Sequence, residues 1–515
     1  MSTGGFLTQP LKRAALMRPD GIATIDGDRR RTWSEILDRV QRLAGGLRKL
    51  GIKPGDRVGV FAFNSDRYFE LHFALPWVGA VIVPVNTRLS AGEVQFMMRD
   101  SGASAMFIDE THLPMLDQMA EFRDGLTALI SLSDEALPGC TGYEELIAAN
   151  EPAPDGATGG ATLSGIFYTS GSTGRSKGVV LSHDNLLTNA MNAMIGIGYT
   201  ADSVYLHAAP MFHLTDGMST YSLTMALGTH VFVPKFDTRR VLEAVQQYGI
   251  TNLCLVPTMI EMMVTVAEQE PFDLSSLKQF QFGSAPMPEA TLARAIKLWP
   301  DMLYMHGWGM TETSPIGLVI PHELRDPRVA GKRLRSCGVP AINEEVRIVD
   351  ADGRDVGVGE VGELIVRGPM VMQGYWNMPE ETAKTIRDGW LRTGDAAYRD
   401  ADGLFYIADR LKDMIISGGE NIYSNEVENV IGRFPGVAAS AVIGLPHPKW
   451  GETVHAVLIV KDGAEVDTEE LTRFIKSEIA GYKAPRSFSF RTEPFPLTSA
   501  GKVSKRHLRE EYAKA

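Results

Sequence analysis

Residues 168–178 read Tyr-Thr-Ser-Gly-Ser-Thr-Gly-Arg-Ser-Lys-Gly and follow a short apolar run, Ile166-Phe167-Tyr168. Glycines let backbone amides approach an anion, hydroxyls donate further hydrogen bonds, and Lys177 adds a point charge. The segment therefore predicts a phosphate-binding loop. It is not a Walker A loop, which needs Gly-Lys-Ser/Thr, because Lys177 lies between Ser176 and Gly178. A second glycine pattern, Gly196-Ile-Gly198-Tyr-Thr-Ala201, has dinucleotide spacing but follows a helical stretch instead of a strand, and reads as a plain loop. No HExxH metalloprotease motif occurs. Cys140, Cys254 and Cys337 stand far apart without a CxxC pair, so neither a thiolate zinc site nor a disulfide framework is expected.

Further clusters follow in order: Phe282-Gly-Ser-Ala-Pro286, Tyr304-Met-His-Gly-Trp-Gly-Met-Thr-Glu-Thr313, Arg392-Thr-Gly-Asp395, Asp409-Arg-Leu-Lys-Asp-Met-Ile415, Ser417-Gly-Gly-Glu-Asn421 and Pro496-Leu-Thr-Ser-Ala-Gly-Lys502. Together with the phosphate loop, this succession resembles the adenylate-forming superfamily of acyl-CoA synthetases, luciferases and nonribosomal-peptide adenylation domains. The resemblance spans essentially the whole chain. It implies two half-reactions: a carboxylate attacks the α-phosphorus of ATP to give acyl-AMP and pyrophosphate, and a thiol, here CoA, then expels AMP. Such chemistry asks for positioning and charge neutralisation more than for a nucleophilic side chain.

By resemblance, Thr169, Ser170, Gly171, Ser172, Thr173, Gly174 and Lys177 hold the phosphates. Glu312 is the Mg²⁺ ligand, and Thr311 beside it bonds the α-phosphate. Gly283, Ser284, Ala285 and Pro286 line one side of the adenine. Trp308, set between Gly307 and Gly309 and followed by Met310, offers the ring a flat face; many relatives carry Tyr there. Asp395 and Arg410 bind the ribose. Lys502 bridges carboxylate and α-phosphate, and Lys412 marks a hinge that swings the small domain between two poses. In the second pose Gly418, Gly419 and Glu420 shape a channel for the CoA thiol. Plant coumarate ligases have a lysine where this chain has Ile416, a departure that bears on the second pose.

The segment Pro210-Met-Phe-His-Leu-Thr-Asp-Gly-Met218 resembles the family motif beside the carboxylate, which assigns His213, Met218 and Met310 to the acyl pocket. Met211 and Met259 could extend an adaptable apolar wall. Neither residues 207–223 nor residues 306–320 contain Lys or Arg, so a second substrate carboxylate would be buried unpaired, at high cost. The expected substrate is a monocarboxylic acid with an apolar tail, alkyl or ring-bearing. An acyl-AMP ligase that loads a carrier protein is the nearest alternative, and an inactive nucleotide-binding scaffold is the non-enzyme one. An amino-acid adenylation domain would need an Asp where His213 stands, although Asp216 follows three residues later.

The elements that must position these groups alternate. Thr32 and Glu35 make a capping-box pattern ahead of apolar residues at Ile36, Val40, Leu43 and Leu47, the spacing of one helix face. Short apolar runs at residues 57–63, 81–85 and 105–108, with helical stretches between, predict a largely parallel α/β sheet. Beyond Arg410 the units shorten: residues 438–443 and 454–460 read as strands, and Leu471, Phe474, Ile475 and Ile479 mark an amphipathic helix with Asp467 and Glu470 in capping-box register. The expected fold is α/β, with a large N-terminal domain (residues 1–410) and a small mobile α+β domain (411–515).

A length of 515 residues fits more than one domain, and 44% hydrophobic with 22% charged residues is globular. The net charge of −12 argues against nucleic acid or an anionic membrane as partner. No signal-peptide core or membrane-length apolar run is present, so the expected setting is cytoplasmic. Pairing into a homodimer stays open.

Overall fold

The computed structural model describes residues 4–169, 176–285, 287–498 and 503–513. Among these, the strands form four sheets. The first has nine strands, with Ile22–Asp26, Thr229–Phe232, Val204–His207, Asn252–Leu255, Gln279–Phe282 and Leu303–Gly309 parallel along its length. The second has eight strands built around Val81–Pro84, Arg57–Phe61 and Ala103–Ile108, also parallel. Short strands joined through helices give parallel pairing, because the crossover returns the chain to the same end of the sheet before the next strand begins.

The helix Trp33–Lys49 starts at a closed capping box: Thr32 N–H donates to Glu35 Oε2 at 2.7 Å, and Glu35 N–H returns to Thr32 Oγ1 at 3.3 Å. The helix Asp66–Val78 is buried on every face, including its acids. Asp66 is matched by Arg29 and Arg31, and Glu70 by Arg39 at 2.6 Å with the Tyr143 hydroxyl at 2.7 Å, the partners that buried carboxylates require.

A third, antiparallel sheet (Glu345–Val349, Gly362–Arg367, Trp390–Arg399, Ile386–Arg387 and Phe405–Arg410) carries the Thr-Gly-Asp and Asp-Arg motifs on neighbouring strands, with Asp395 opposite Arg410 in register. The fourth sheet begins at Ile415–Ser417 and encloses a separate core of Ile415, Val427, Val442, Leu458 and Ile475. Residues 411–414 connect the two. In the small unit the helix Thr468–Glu478 has a one-sided cap in place of the expected reciprocal box: Asp467 accepts from Glu469 N–H at 2.8 Å, one residue earlier than a box requires. Among the described residues no helix is long and apolar enough to cross a membrane.

Candidate active site

The site forms at the carboxyl ends of the parallel strands Gln279–Phe282 and Leu303–Gly309, where open α/β sheets leave a crevice. Two glycines there are sterically compelled. A Cβ on Gly283 would stand 2.6 Å from Gly307 O, and one on Gly309 would stand 1.6 Å from Pro315 O. Ser284 takes a left-handed φ of +66° and sets its hydroxyl 3.0 Å from that of Thr215. Ala285 follows it; Pro286 lies outside the described residues.

Past Gly309 the chain turns through a single 3-10 turn, Thr311–Thr313, with Met310 at its N-cap. Thr313 Oγ1 receives Met310 N–H at 3.1 Å and donates to Pro315 O at 2.8 Å. Asn189, from the helix His183–Ile197, grips the same turn by donating to Thr313 O (2.8 Å) and Ile316 O (2.7 Å). Glu312 is thereby fixed: its backbone carbonyl accepts Met372 N–H at 2.9 Å, and its Oε1 accepts the Tyr375 hydroxyl at 2.8 Å. Burial, and after it the Glu312 carboxylate, raises the Tyr375 hydroxyl pKa, so it stays a donor.

The phosphate-loop segment joins two antiparallel strands, Leu163–Thr169 and Lys177–Ser182, in a hairpin with Thr169 opposite Lys177 at its mouth. Residues Gly174-Arg-Ser176-Lys-Gly178 have the spacing of a hydrolase nucleophile elbow, but that motif needs strand-turn-helix, and here strand leads to strand. Ser170, Gly171, Ser172, Thr173 and Gly174 lie outside the described residues. Lys177 Nζ pairs with Glu381 Oε2 at 2.9 Å and lies 5.0 Å from the Tyr375 ring centroid. The hydrogen bond from Lys177 holds the Glu381 carboxyl down to about 2.

Across the crevice, Asp395 is 2% exposed. It accepts Trp308 Nε1–H at 2.8 Å and pairs with Arg410 Nε at 2.8 Å. Trp308 itself is 8% exposed and packs with Leu318, Phe405 and Gly317, so its indole N–H holds the carboxylate while most of the ring belongs to the core. Next to it stands Glu344. Asn192 donates to its Oε1 at 3.3 Å, Oε2 is buried without a partner among the described residues, and burial pushes the carboxyl up to about 9.

A cavity opens below the two glycines. Its lining includes Ala193, Ile197, Met218, Phe282, Trp308, Pro315 and Ile316, and no charged side chain among the described residues. His213 occupies the N-cap position of the helix Leu214–Ala226 without a side-chain capping bond, and lines a smaller cleft with Asn86, Tyr168 and Ser176. Met211 and Met259 are core residues. Asp216 is fully buried, accepting from the Tyr205 hydroxyl at 3.0 Å and meeting His207 Nδ1 at 2.6 Å, so it faces the core and offers a substrate amine nothing.

In the connecting segment, Lys412 is exposed, and its carbonyl lies 3.5 Å from Arg509 Nη2, which also pairs with Asp413 at 2.8 Å. Gly418 and Gly419, both with positive φ (+64° and +88°), turn the hairpin between Ile415–Ser417 and Glu420–Ile422, the conformation that favours glycine at both places. A Cβ on Gly418 would stand 2.9 Å from the Trp450 ring. Lys502 lies outside the described residues. Sequence reasoning missed Tyr375, Glu381, Asn189 and Glu344. Each meets its partner only through the fold, Tyr375 and Glu381 across separations of 63 and 204 residues, so no local spacing could have marked them.

The AMP-binding enzyme family matches residues 11–376, and its C-terminal domain matches residues 426–502. Over 513 residues the chain is 40% identical to a feruloyl-CoA synthase of an Amycolatopsis species, covering 99% of this chain and 100% of that one. It is 34% identical over 513 residues to an indoleacetate–CoA ligase of Aromatoleum aromaticum, covering 99% and 98%. Among solved structures, ATP-bound MatB from Rhodopseudomonas palustris superimposes with a TM-score of 0.88 at 30% identity, covering 98% of this chain and 99% of that one. These likenesses show that the chain belongs to the AMP-binding, adenylate-forming enzyme family, as an acid–thiol ligase that forms acyl-CoA and AMP.

Proposed function

We propose that the chain activates a monocarboxylic acid built on an aromatic ring and passes it to the thiol of CoA. The observation that carries this reading is a largely apolar cavity whose described lining is uncharged and includes Trp308, the residue that holds Asp395. A dicarboxylate would bury its second charge there unpaired. The names of the two relatives, feruloyl-CoA synthase and indoleacetate–CoA ligase, support a ring over an alkyl chain.

In the first half-reaction a carboxylate oxygen bonds to the α-phosphorus of ATP, the α–β anhydride bond breaks, and pyrophosphate leaves with its electron pair. Lys177 and the hydroxyls of the loop hold the departing phosphates, Thr311 bonds the α-phosphate, and Asp395 with Arg410 fixes the ribose. His213 borders the acid's carboxylate. Glu312 suits Mg²⁺, which takes one or two protein carboxylates and leaves its other positions to phosphates and water. The carboxylate accepts the Tyr375 hydroxyl and has lone pairs to spare for a cation. When bound, the ion screens phosphate charge. Lys502 contributes its ammonium where charge builds on the α-phosphate. In the second half-reaction the CoA sulfur bonds to the acyl carbonyl, AMP leaves, and the thiol proton passes to solvent. Rotation about Lys412 turns Lys502 away and brings Gly418, Gly419 and Glu420 to the thiol's path. The free cysteines are in keeping with a reducing, cytoplasmic setting.

Single-turnover assays test the assignment. Lys502→Ala should slow acyl-AMP formation about 100-fold or more, while preformed acyl-AMP and CoA still yield thioester within a few-fold of the parent rate. Equal slowing of both halves would remove the two-pose mechanism.

A further inference from the structure

The cavity has a floor, and one strongly polar side chain stands in it. The parallel register sets Cys254 opposite Gln281, and Gln281 opposite Met305, so the three form one row across the sheet, and all three line the cavity. This row lies two residues, about 6.7 Å, below the Gly283 and Gly307 pair at the mouth. Burial pushes the Cys254 thiol up to about 12, which keeps it neutral. Gln281, in the middle, is 4% exposed. Its Oε1 accepts the Tyr199 hydroxyl at 3.3 Å, but its Nε2 has no hydrogen-bond partner among the described residues. A buried amide left in that state costs about 1–3 kcal/mol.

The same strand carries a glutamine that shows the contrast. Gln279, two residues deeper and equally buried, is fully engaged: Arg325 Nη1 donates to its Oε1 at 2.7 Å, and its Nε2 reaches Ile197 O at 3.4 Å. Arg325 also donates to Ile320 O at 3.2 Å and Ile197 O at 2.9 Å, closing the sheet beneath the cavity. Gln279 is therefore a strut, whereas Gln281, which lines the cavity, keeps an amide nitrogen without a partner among the described residues. Exchanging its oxygen and nitrogen does not remove the surplus: the Tyr199 hydroxyl, which both donates and accepts, would engage the nitrogen and leave the carbonyl unpaired.

We infer that Gln281, backed by Tyr199, reads a hydroxyl on the far side of the substrate's ring, so that the acid is a phenol-bearing aryl acid. A phenolic hydroxyl accepts and donates, and so satisfies the amide in either setting. The inference rests on the ligase reading above and amends the wholly apolar tail expected from sequence. It also disfavours long alkyl chains, which would have to pass Gln281 and the Arg325 strut.

The test uses the full-length protein with ATP, Mg²⁺ and CoA and three acids of one skeleton: 3-phenylpropenoate bearing a 4-hydroxyl, a 4-methyl or no ring substituent. The parent enzyme should show kcat/KM at least about tenfold higher for the hydroxylated acid than for the methylated one, with the difference largely in KM, since a site built to bond a hydroxyl rejects the analogue lacking it. Gln281→Leu should cut that ratio at least tenfold, and Tyr199→Phe should cut it less; melting curves confirm that both variants fold. A parent ratio near one, or a ratio that Gln281→Leu leaves unchanged, overturns the inference while the ligase reading stands. Failure of every acid to release pyrophosphate overturns the aryl-acid reading of the proposed function, and the inference with it.

Discussion

Asp395 receives two groups that approach from different elements, the indole N–H of Trp308 and the guanidinium of Arg410. A carboxylate held from two sides keeps its orientation without reorganising when a ligand arrives, the property expected of a preorganised contact. Trp308→Phe keeps the ring packing against Leu318 and Phe405 but deletes one charge-assisted bond, worth about 1.5–3 kcal/mol. ATP affinity measured by calorimetry should fall about tenfold or more. An affinity that stays within about twofold of the parent value would show that the indole N–H does not position Asp395.

The helices Ser424–Ile431 and Lys505–Tyr512 join the small unit to the strand Phe405–Arg410 through one buried cluster. Lys505 Nζ reaches Glu428 Oε1 at 2.7 Å and Ser424 Oγ at 2.5 Å, and Ser424 in turn donates its N–H to Asp409 Oδ2 at 2.6 Å. Burial pushes the Glu428 carboxyl up, and Lys505 opposes it. Lys505→Met would strand Glu428 and should cost about 3–5 kcal/mol, while the double variant Lys505→Met, Glu428→Gln should recover most of that. Limited proteolysis of the small unit checks this. Additive losses in the double variant would show that the two groups do not form a coupled pair.

Several imidazoles lowered by burial weaken the whole molecule on the acid side. Burial lowers His72 to about 3 and both His183 and His306 to about 4, against 6.5 in an unfolded chain. As pH falls below 6.5 the unfolded state takes up protons that the native state refuses, so stability should decline down to about pH 4. Each imidazole contributes on the order of 1.4 kcal/mol per pH unit within its window. Glu344 acts in the other direction. Its folded value of about 9 against 4.5 means the native state keeps a proton the unfolded chain releases, so it costs stability progressively as pH rises from 4.5 to 9. Melting temperatures from pH 4 to 9 should therefore pass through a maximum, and Glu344→Gln should raise the melting temperature at pH 8 but not at pH 4.5. A gain independent of pH would mean that Glu344 is ionised in the native state.

The sequence by itself determined what depends on near neighbours. The capping box at Thr32 and Glu35 and the alternation of helix and strand follow from side chains a few residues apart. The order of the motifs carried the family. What the tertiary structure decided are the partnerships: Trp308 with Asp395 across 87 residues, Lys177 with Glu381 across 204, and the burial of Asp216 against His207. It alone separates Gln279 from Gln281, two identical residues one pleat apart on the same strand face. The first is satisfied by an arginine 46 residues on, while the second is left with an unpaired amide. The physical reason is that strand register and helix packing fix which groups share a buried space, and the energy of a buried polar group depends on what shares that space with it.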